Sequence, residues 1–132
     1  MSKIHEKISA VEGYITSIIE NLPENVEKYK SDDIIRRASE RYFEMIIEGL
    51  IDIAFMFISK KKFRIPEDDI DAFRILKEKK IINESLYKRL KLAKGMRNFI
   101  VHQYGKIDDE LVYEAIRDDL EKDAKEFLKR IK

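Results

Sequence analysis

The sequence predicts an all-α fold, an antiparallel bundle of four or five helices. Apolar residues recur at three- and four-residue steps through most of the chain, and no segment alternates in the manner of a strand. The 132 residues include only 4 Gly and 2 Pro, and the composition is 44% hydrophobic and 40% charged. These values are typical of a compact, helix-rich domain. Because the length suits one domain, we expect a single helical domain over residues 1–132.

The composition also excludes several classes of protein. The chain has no Cys and only 2 His, so disulfides and cysteine metal sites are excluded, and a reducing cytoplasm is the expected location. No His-x-x-x-His pattern occurs, and we expect neither a metal nor another cofactor. No apolar run reaches the roughly 18 residues of a membrane span. The charged, amphipathic N-terminus does not resemble a signal peptide.

Charge is distributed unevenly along the chain. Residues 60–97 carry a net charge of +7, from 13 Lys or Arg and 6 Asp or Glu. Residues 108–126 carry a net charge of −6, from 9 acids and 3 bases. The basic block could attract phosphate and the acidic block a basic partner. Both blocks could equally be solvated helix faces.

The first helix is predicted from about Lys3 to Asn21, and Pro23 ends it. Its apolar residues fall on one face: Ile4, Ile8, Val11, Ile15, Ile18 and Leu22. The last helix is predicted from about Asp108 or Asp109, with acids at its N-terminus. Its apolar stripe consists of Ile116, Leu120, Ala124, Phe127 and Ile131.

The second predicted helix starts with a capping residue at Ser31 or Asp32 and runs to about Ser59. An apolar stripe is expected in its first half: Ile34, Ile35, Ala38, Tyr42, Met45 and Ile46. The second half, "GLIDIAFMFI", is apolar nearly all round and must therefore be covered on every side. A domain of this size has little material for that task, so we predict a homodimer across this helix. Full burial within one chain is the alternative.

Two further helices are predicted between these elements. A short one follows Pro66, from about Glu67 to Lys79. The next begins near Asn83, a plausible N-cap, and continues into "RNFIVHQYGK", where Gly105 is the expected stop.

This fourth predicted helix carries the candidate chemistry. At about 100° per residue, Arg97 and Tyr104 lie within about 20° of each other, and Asn98 and His102 follow at about 100° and 140°. Leu92, Met96, Phe99 and Ile100 fall on the other side, which we expect to face the core. Polar decoration near a helix end is the alternative interpretation.

The four polar side chains suit reactions of a phosphodiester. Arg97 can grip two phosphate oxygens with its planar guanidinium. The imidazole of His102 can accept or release a proton, while Asn98 can fix the imidazole or hold substrate. Tyr104 can donate a hydrogen bond or stack on a base. RNA carries its own nucleophile, the 2′-hydroxyl, so this chemistry needs no metal.

The run "RNFIVHQY", read as Arg-x4-His-x-Tyr, resembles the signature of HEPN-domain ribonucleases, and its last Tyr is similar to that of HepT-like toxins. The helix order matches over nearly the whole chain. The resemblance implies a homodimer whose two motifs form a composite RNA cleft, and a metal-independent endoribonuclease toxin with catalytic Arg97, His102 and Asn98. It also implies an MNT-type nucleotidyltransferase antitoxin that silences the toxin by transferring AMP to Tyr104.

Three questions stay open in the sequence. Asp52, the acid within "GLIDIAFMFI", could orient Arg97 or His102 across the cleft, or could be a surface acid at the edge of an interface. The chain could also act as a non-catalytic nucleotide-binding or docking partner of the nucleotidyltransferase, or as a purely structural helical dimer. The basic loop Lys60–Arg64 could bind RNA phosphates, bind an acidic neighbour or merely aid solubility.

Overall fold

The computed structural model describes residues 2–102 and 106–132, and within these ranges the fold is all-α, as predicted. The helices, in chain order, are α1 (Lys3–Asn21), α2 (Val26–Ser31), α3 (Asp33–Lys61), α4 (Asp69–Glu78), α5 (Glu84–His102), α6 (Asp109–Glu114), a π-helical segment (Ala115–Leu120) and α7 (Glu121–Ile131). The last three follow one another without a break and form the predicted last helix. The described residues include no helix with the length and apolarity needed to cross a membrane.

Side-chain caps explain where several helices begin. Asp32 accepts a hydrogen bond from the backbone N–H of Ile35 at the start of α3. Asn83 caps α5 through the N–H of Leu86 at 2.8 Å, and Asp108 caps α6. Each cap satisfies an N–H that has no partner within the helix. The predicted caps at Asp32 and Asn83 are therefore confirmed.

The core forms where α1 packs along the middle of α3. The predicted face of α1 is confirmed, because Ile8, Val11, Ile15 and Ile18 are buried and Ile4 and Leu22 are partly buried. Gly49 of α3 faces Val11, and a Cβ built at Gly49 would lie 2.3 Å from Val11 Cγ2. Glycine therefore allows the close approach of these two helices.

The expectation for the first half of α3 is only partly right. Ile34 and Ala38 are exposed, Ile35, Tyr42 and Met45 are partly buried, and Ile46 is buried as predicted, beside Ser39, Phe43 and Ile47. In its second half, most of "GLIDIAFMFI" is buried within this one chain, with Asp52 exposed and Phe55 and Met56 partly buried. Neighbouring helices cover this segment on several sides, so burial within one chain, the alternative considered, accounts for most of its apolar character, and a homodimer across α3 stays a prediction.

A buried carboxylate ties the loop before α4 to that helix. Asp71 accepts hydrogen bonds from Arg64 at 2.7 and 2.9 Å, from the N–H of Glu67 at 2.9 Å and from Arg74 at 3.0 Å. These donors, Arg64 foremost, hold the pKa of Asp71 well below its usual range. Arg64 of the basic loop is therefore committed to the fold.

The C-terminal helices close the bundle. Ile116, Leu120, Ala124, Phe127 and Ile131 are all buried, as predicted. The hydroxyl of Tyr113 donates a 2.6 Å hydrogen bond to the carbonyl of Pro23, which fixes the turn after α1. The ring of Tyr113 packs on that of Tyr29, with centroids 5.3 Å apart. Burial raises the pKa of the Tyr29 hydroxyl.

Candidate functional site

Helix α5 presents a different face to the core from the one predicted. Of the residues expected in the core, Leu92 is 75% exposed and Met96 and Phe99 are only partly buried, whereas Ile100 is buried as predicted. The helix packs mainly through Leu86, Leu90 and Lys94. Arg97 lies seven residues after Leu90 and so on nearly the same side of the helix. The polar side of α5 is therefore turned towards α3 and α4.

Arg97 is held between α3 and its own helix. Its side chain is 17% exposed, and its Nη2 forms an ion pair with Glu48 of α3. Its Nη1 donates a 3.0 Å hydrogen bond to Asn98 Oδ1. Its Nε is buried and has no hydrogen-bond partner among the described residues. Two contacts thus fix the plane of the guanidinium before any ligand arrives.

Asn98 joins Arg97 to a second, buried cation. Its Oδ1 accepts a 2.8 Å hydrogen bond from Lys94 Nζ in addition to the bond from Arg97. Lys94 Nζ also lies 3.2 Å from Asp69 Oδ2, at the start of α4. A chain of polar contacts therefore runs from Asp69 through Lys94, Asn98 and Arg97 to Glu48, and links α4, α5 and α3.

His102 is the last residue of α5 and is exposed. It lies four residues after Asn98 and eight after Lys94, so the three side chains follow one ridge of the helix. Tyr104 and the predicted stop at Gly105 lie outside the described residues. The structure thus brings Arg97 and Asn98 into contact and places His102 at the end of the same ridge.

Asp52 makes a different contact from the one considered in the sequence. Its Oδ2 lies 3.1 Å from Nζ of Lys7 on α1, and the side chain is exposed. The carboxylate on Arg97 is Glu48, one turn earlier on α3. Sequence reasoning missed Glu48, because an acid 49 residues before its partner carries no local signal. Lys94 was also missed, although its i,i+4 spacing to Asn98 was visible.

An apolar groove of about 1020 Å³ opens beside this polar ridge. Its walls come from α5, α6, the π-helical segment and α3, and include Leu92, Met96, Phe99, Ile107, Leu111 and Ala115. Leu111 is 54% exposed, so leucines on both sides of the groove face water. Apolar surface of this kind, next to a candidate site, is a candidate interaction surface.

The basic block separates into two parts in the structure. Lys77 pairs with Glu84, and Arg89 pairs with Asp123 and Glu126, so part of the charge supports the fold. In the part of the chain that is described, Lys60–Lys62 have no carboxylate partner within ion-pair distance. These three lysines surround the C-terminus of α3, where positive charge also suits the helix dipole.

Sequence comparison identifies relatives over most of the chain. Residues 8–131 match the ribonuclease HepT-like family. A protein of Archaeoglobus fulgidus is 34% identical over 106 residues, which cover 79% of this chain and 77% of the relative. The mRNA nuclease HepT of Shewanella oneidensis is 28% identical over 105 residues, covering 80% of this chain and 78% of that protein.

Structural comparison agrees with the sequence relatives. The tri-AMPylated HEPN toxin of Shewanella oneidensis, solved in complex with its MNT antitoxin, superposes with a TM-score of 0.90 at 26% identity. The match covers 99% of this chain and 98% of that toxin. The resemblance seen in the sequence and the predicted enzyme class, a ribonuclease, are thereby confirmed. The chain belongs to the ribonuclease HepT-like family.

Proposed function

We propose that this chain is the toxin of a HEPN/MNT toxin–antitoxin pair and a metal-independent endoribonuclease. The observation that carries this proposal is the arrangement on α5, where the guanidinium of Arg97 is fixed by Glu48 and Asn98 on the helix that ends at His102. A fixed cation beside an imidazole, which can accept or release a proton, suits phosphodiester cleavage. The named nuclease relative supports the same activity.

In the proposed reaction the 2′-oxygen of RNA attacks the adjacent phosphorus. The O2′–P bond forms and the P–O5′ bond breaks, giving a 2′,3′-cyclic phosphate and a 5′-hydroxyl. A neutral His102 accepts the proton from the 2′-hydroxyl, and a protonated His102 supplies one to O5′. Arg97 binds the non-bridging oxygens, whose negative charge grows in the transition state. Because Glu48 also pairs with Arg97, the phosphate shares this cation with a carboxylate.

The active unit is proposed to be a homodimer formed across the apolar groove. A second copy seated there would cover Leu92 and Leu111 on both chains. Two-fold symmetry along α5 would bring the exposed ends of the two polar ridges, at His102, towards one cleft. The two copies of His102 in such a cleft could then hold the two protonation states that the reaction requires.

The antitoxin partner is proposed to be an MNT-type nucleotidyltransferase that transfers AMP to Tyr104. The solved complex of an AMPylated HEPN toxin with its MNT antitoxin supports this proposal. AMP on Tyr104, two residues after His102, would place a bulky anion beside the catalytic groups and exclude the RNA phosphate by occupancy and charge. Toxin and antitoxin would meet in the cytoplasm.

The decisive experiment uses purified chain, total RNA and tRNA in excess EDTA. Wild-type protein should cut RNA, and Arg97→Ala and His102→Ala variants of equal helical content should not. Products with 2′,3′-cyclic phosphate ends would identify the attack by the 2′-hydroxyl. Cleavage that persists in His102→Ala would refute the proposed role of this residue. A folded, unmodified wild-type dimer without activity would favour the non-catalytic docking partner.

A further inference from the structure

Lys94 is a buried cation that contacts both Asp69 of α4 and Asn98 beside Arg97. Its side chain is 11% exposed, and an ammonium group in such a place needs oxygen partners. Asp69, 3.2 Å away, would suffice to tie α5 to α4. The shorter contact, 2.8 Å, goes instead to Oδ1 of Asn98, the neighbour of Arg97.

The two cations determine how the Asn98 amide is turned. Lys94 and Arg97 both direct N–H groups at one end of this amide, at 2.8 and 3.0 Å. Only the carbonyl oxygen can accept from them, because the opposite rotamer would place an NH2 group against two cations. The NH2 group, with two donors, must therefore point away from Lys94 and Arg97. Within the described residues it donates no hydrogen bond.

We infer that Lys94 is a positioning residue that acts through Asn98. By holding Oδ1, it presents the Asn98 NH2 to the oxygens of the phosphate that Arg97 binds. A donor fixed in advance stabilises the transition state more than one that must rotate into place. This inference rests on the proposed function, and it assigns to Lys94 no contact with the substrate.

The test is a double-mutant cycle between Lys94→Met and Asn98→Ala. Lys94→Met keeps the length and apolar volume of the side chain but removes the ammonium. Single-turnover rates are measured with the protein in saturating excess over one end-labelled RNA, chosen from the RNAs that the wild-type protein cuts, and KM from steady-state rates at varied concentrations of the same RNA. We expect Lys94→Met to lower the rate about 10–100-fold with little change in KM, as for other supporting residues behind a functional group. In the Asn98→Ala background, Lys94→Met should have almost no further effect.

Asp69→Asn is the matched control for the structural role of Lys94. It weakens the tie to α4 but leaves the Lys94–Asn98 contact, so its cleavage rate should stay within about twofold of the wild type. If Lys94→Met does not fold, the double variant Lys94→Met/Asp69→Asn, which removes both charges of the ion pair, takes its place in the double-mutant cycle.

Three results would overturn the inference. The first is a Lys94→Met effect that is equally large with and without Asn98. The second is a rise in KM at unchanged rate, which would make Lys94 a substrate-binding cation. The third is an Asp69→Asn variant as slow as Lys94→Met. Because wild type and His102→Ala are measured alongside, failure of the proposed ribonuclease activity would be recognised separately.

Discussion

Replacing Leu92 by alanine tests whether the apolar groove holds a second copy of the chain. Leu92 is 75% exposed in the isolated chain, so a partner can remove most of its side chain from water. Full burial of a leucine side chain contributes about 1.5–3 kcal/mol. The interface would bury three quarters of the Leu92 side chain, and alanine keeps only its Cβ, so each substitution should remove about 1.5 kcal/mol of binding free energy. A two-fold interface contains the residue twice, so the dimer should lose about 3 kcal/mol, or about 100-fold in Kd.

The assay is sedimentation velocity over a dilution series, with Ile65→Ala as control. Ile65 is 87% exposed but does not line the groove. Ile65→Ala should therefore dimerise like wild type, whereas Leu92→Ala should dissociate at about 100-fold higher concentration. A wild-type protein that is monomeric at about 100 μM, or equal effects of the two variants, would refute the assignment of the groove.

The same variant connects assembly to catalysis. If the cleft is composite, the specific activity of Leu92→Ala should fall at low protein concentration and recover when the concentration is raised. The recovery should follow the dimer fraction measured by sedimentation. A folded monomer that cleaves RNA as fast as the dimer would show that one chain holds a complete site.

Three further predictions concern the stability of the fold, measured by urea unfolding. Asp71→Asn should lower the free energy of unfolding by about 2 kcal/mol at pH 7, because a carboxylate bonded by two arginines is lost. Folding lowers the pKa of Asp71, so the difference in unfolding free energy between wild type and variant should be complete above the unfolded-state pKa of about 4 and should shrink as the pH falls below it. A difference that does not depend on pH would contradict the ion-pair account. Gly49→Ala should lower the free energy of unfolding by about 1–3 kcal/mol, because the added methyl overpacks the contact with Val11. Gly13→Ala, which has open space around it, should raise this free energy by about 0.5–1 kcal/mol. Equal effects of the two variants would refute the close approach of α1 and α3. Tyr113→Phe should lower the free energy of unfolding by about 1 kcal/mol, because it removes the hydrogen bond to Pro23. Tyr29→Phe should leave this free energy unchanged, since no described residue bonds the Tyr29 hydroxyl. A larger loss in Tyr29→Phe than in Tyr113→Phe would contradict these contacts.

The outer helices of the bundle could be predicted from the sequence, and the reason is physical. α1 and α7 each have one face in water, so burial leaves a period of 3.6 in the apolar residues. α2 (Val26–Ser31) was missed, because its six residues are too few for such a period. The second half of α3 has no such period, since neighbours cover it on several sides and its apolar residues identify no single face.

α5 shows most clearly what a sequence pattern leaves undecided. One face carries Arg97, Asn98 and Lys94, and the other carries Leu92 and Phe99. Apolar spacing favours burial of the second face. In the structure the first face packs inward, where Arg97 pairs with Glu48 and Lys94 with Asp69. These partners come from α3 and α4, and their contacts with α5 exist only after folding.

This inverted packing links the chemistry of the chain to its assembly. Because α5 turns its charged side towards α3 and α4, the side chains around Arg97 are fixed by contacts within one chain. The same rotation leaves Leu92 and Phe99 in the groove, where burial requires another molecule. A helix with the opposite rotation would bury its leucine and leave Arg97 solvated and unrestrained. The orientation of α5 therefore suits both the proposed phosphate site, which it pre-organises, and the proposed interface beside it.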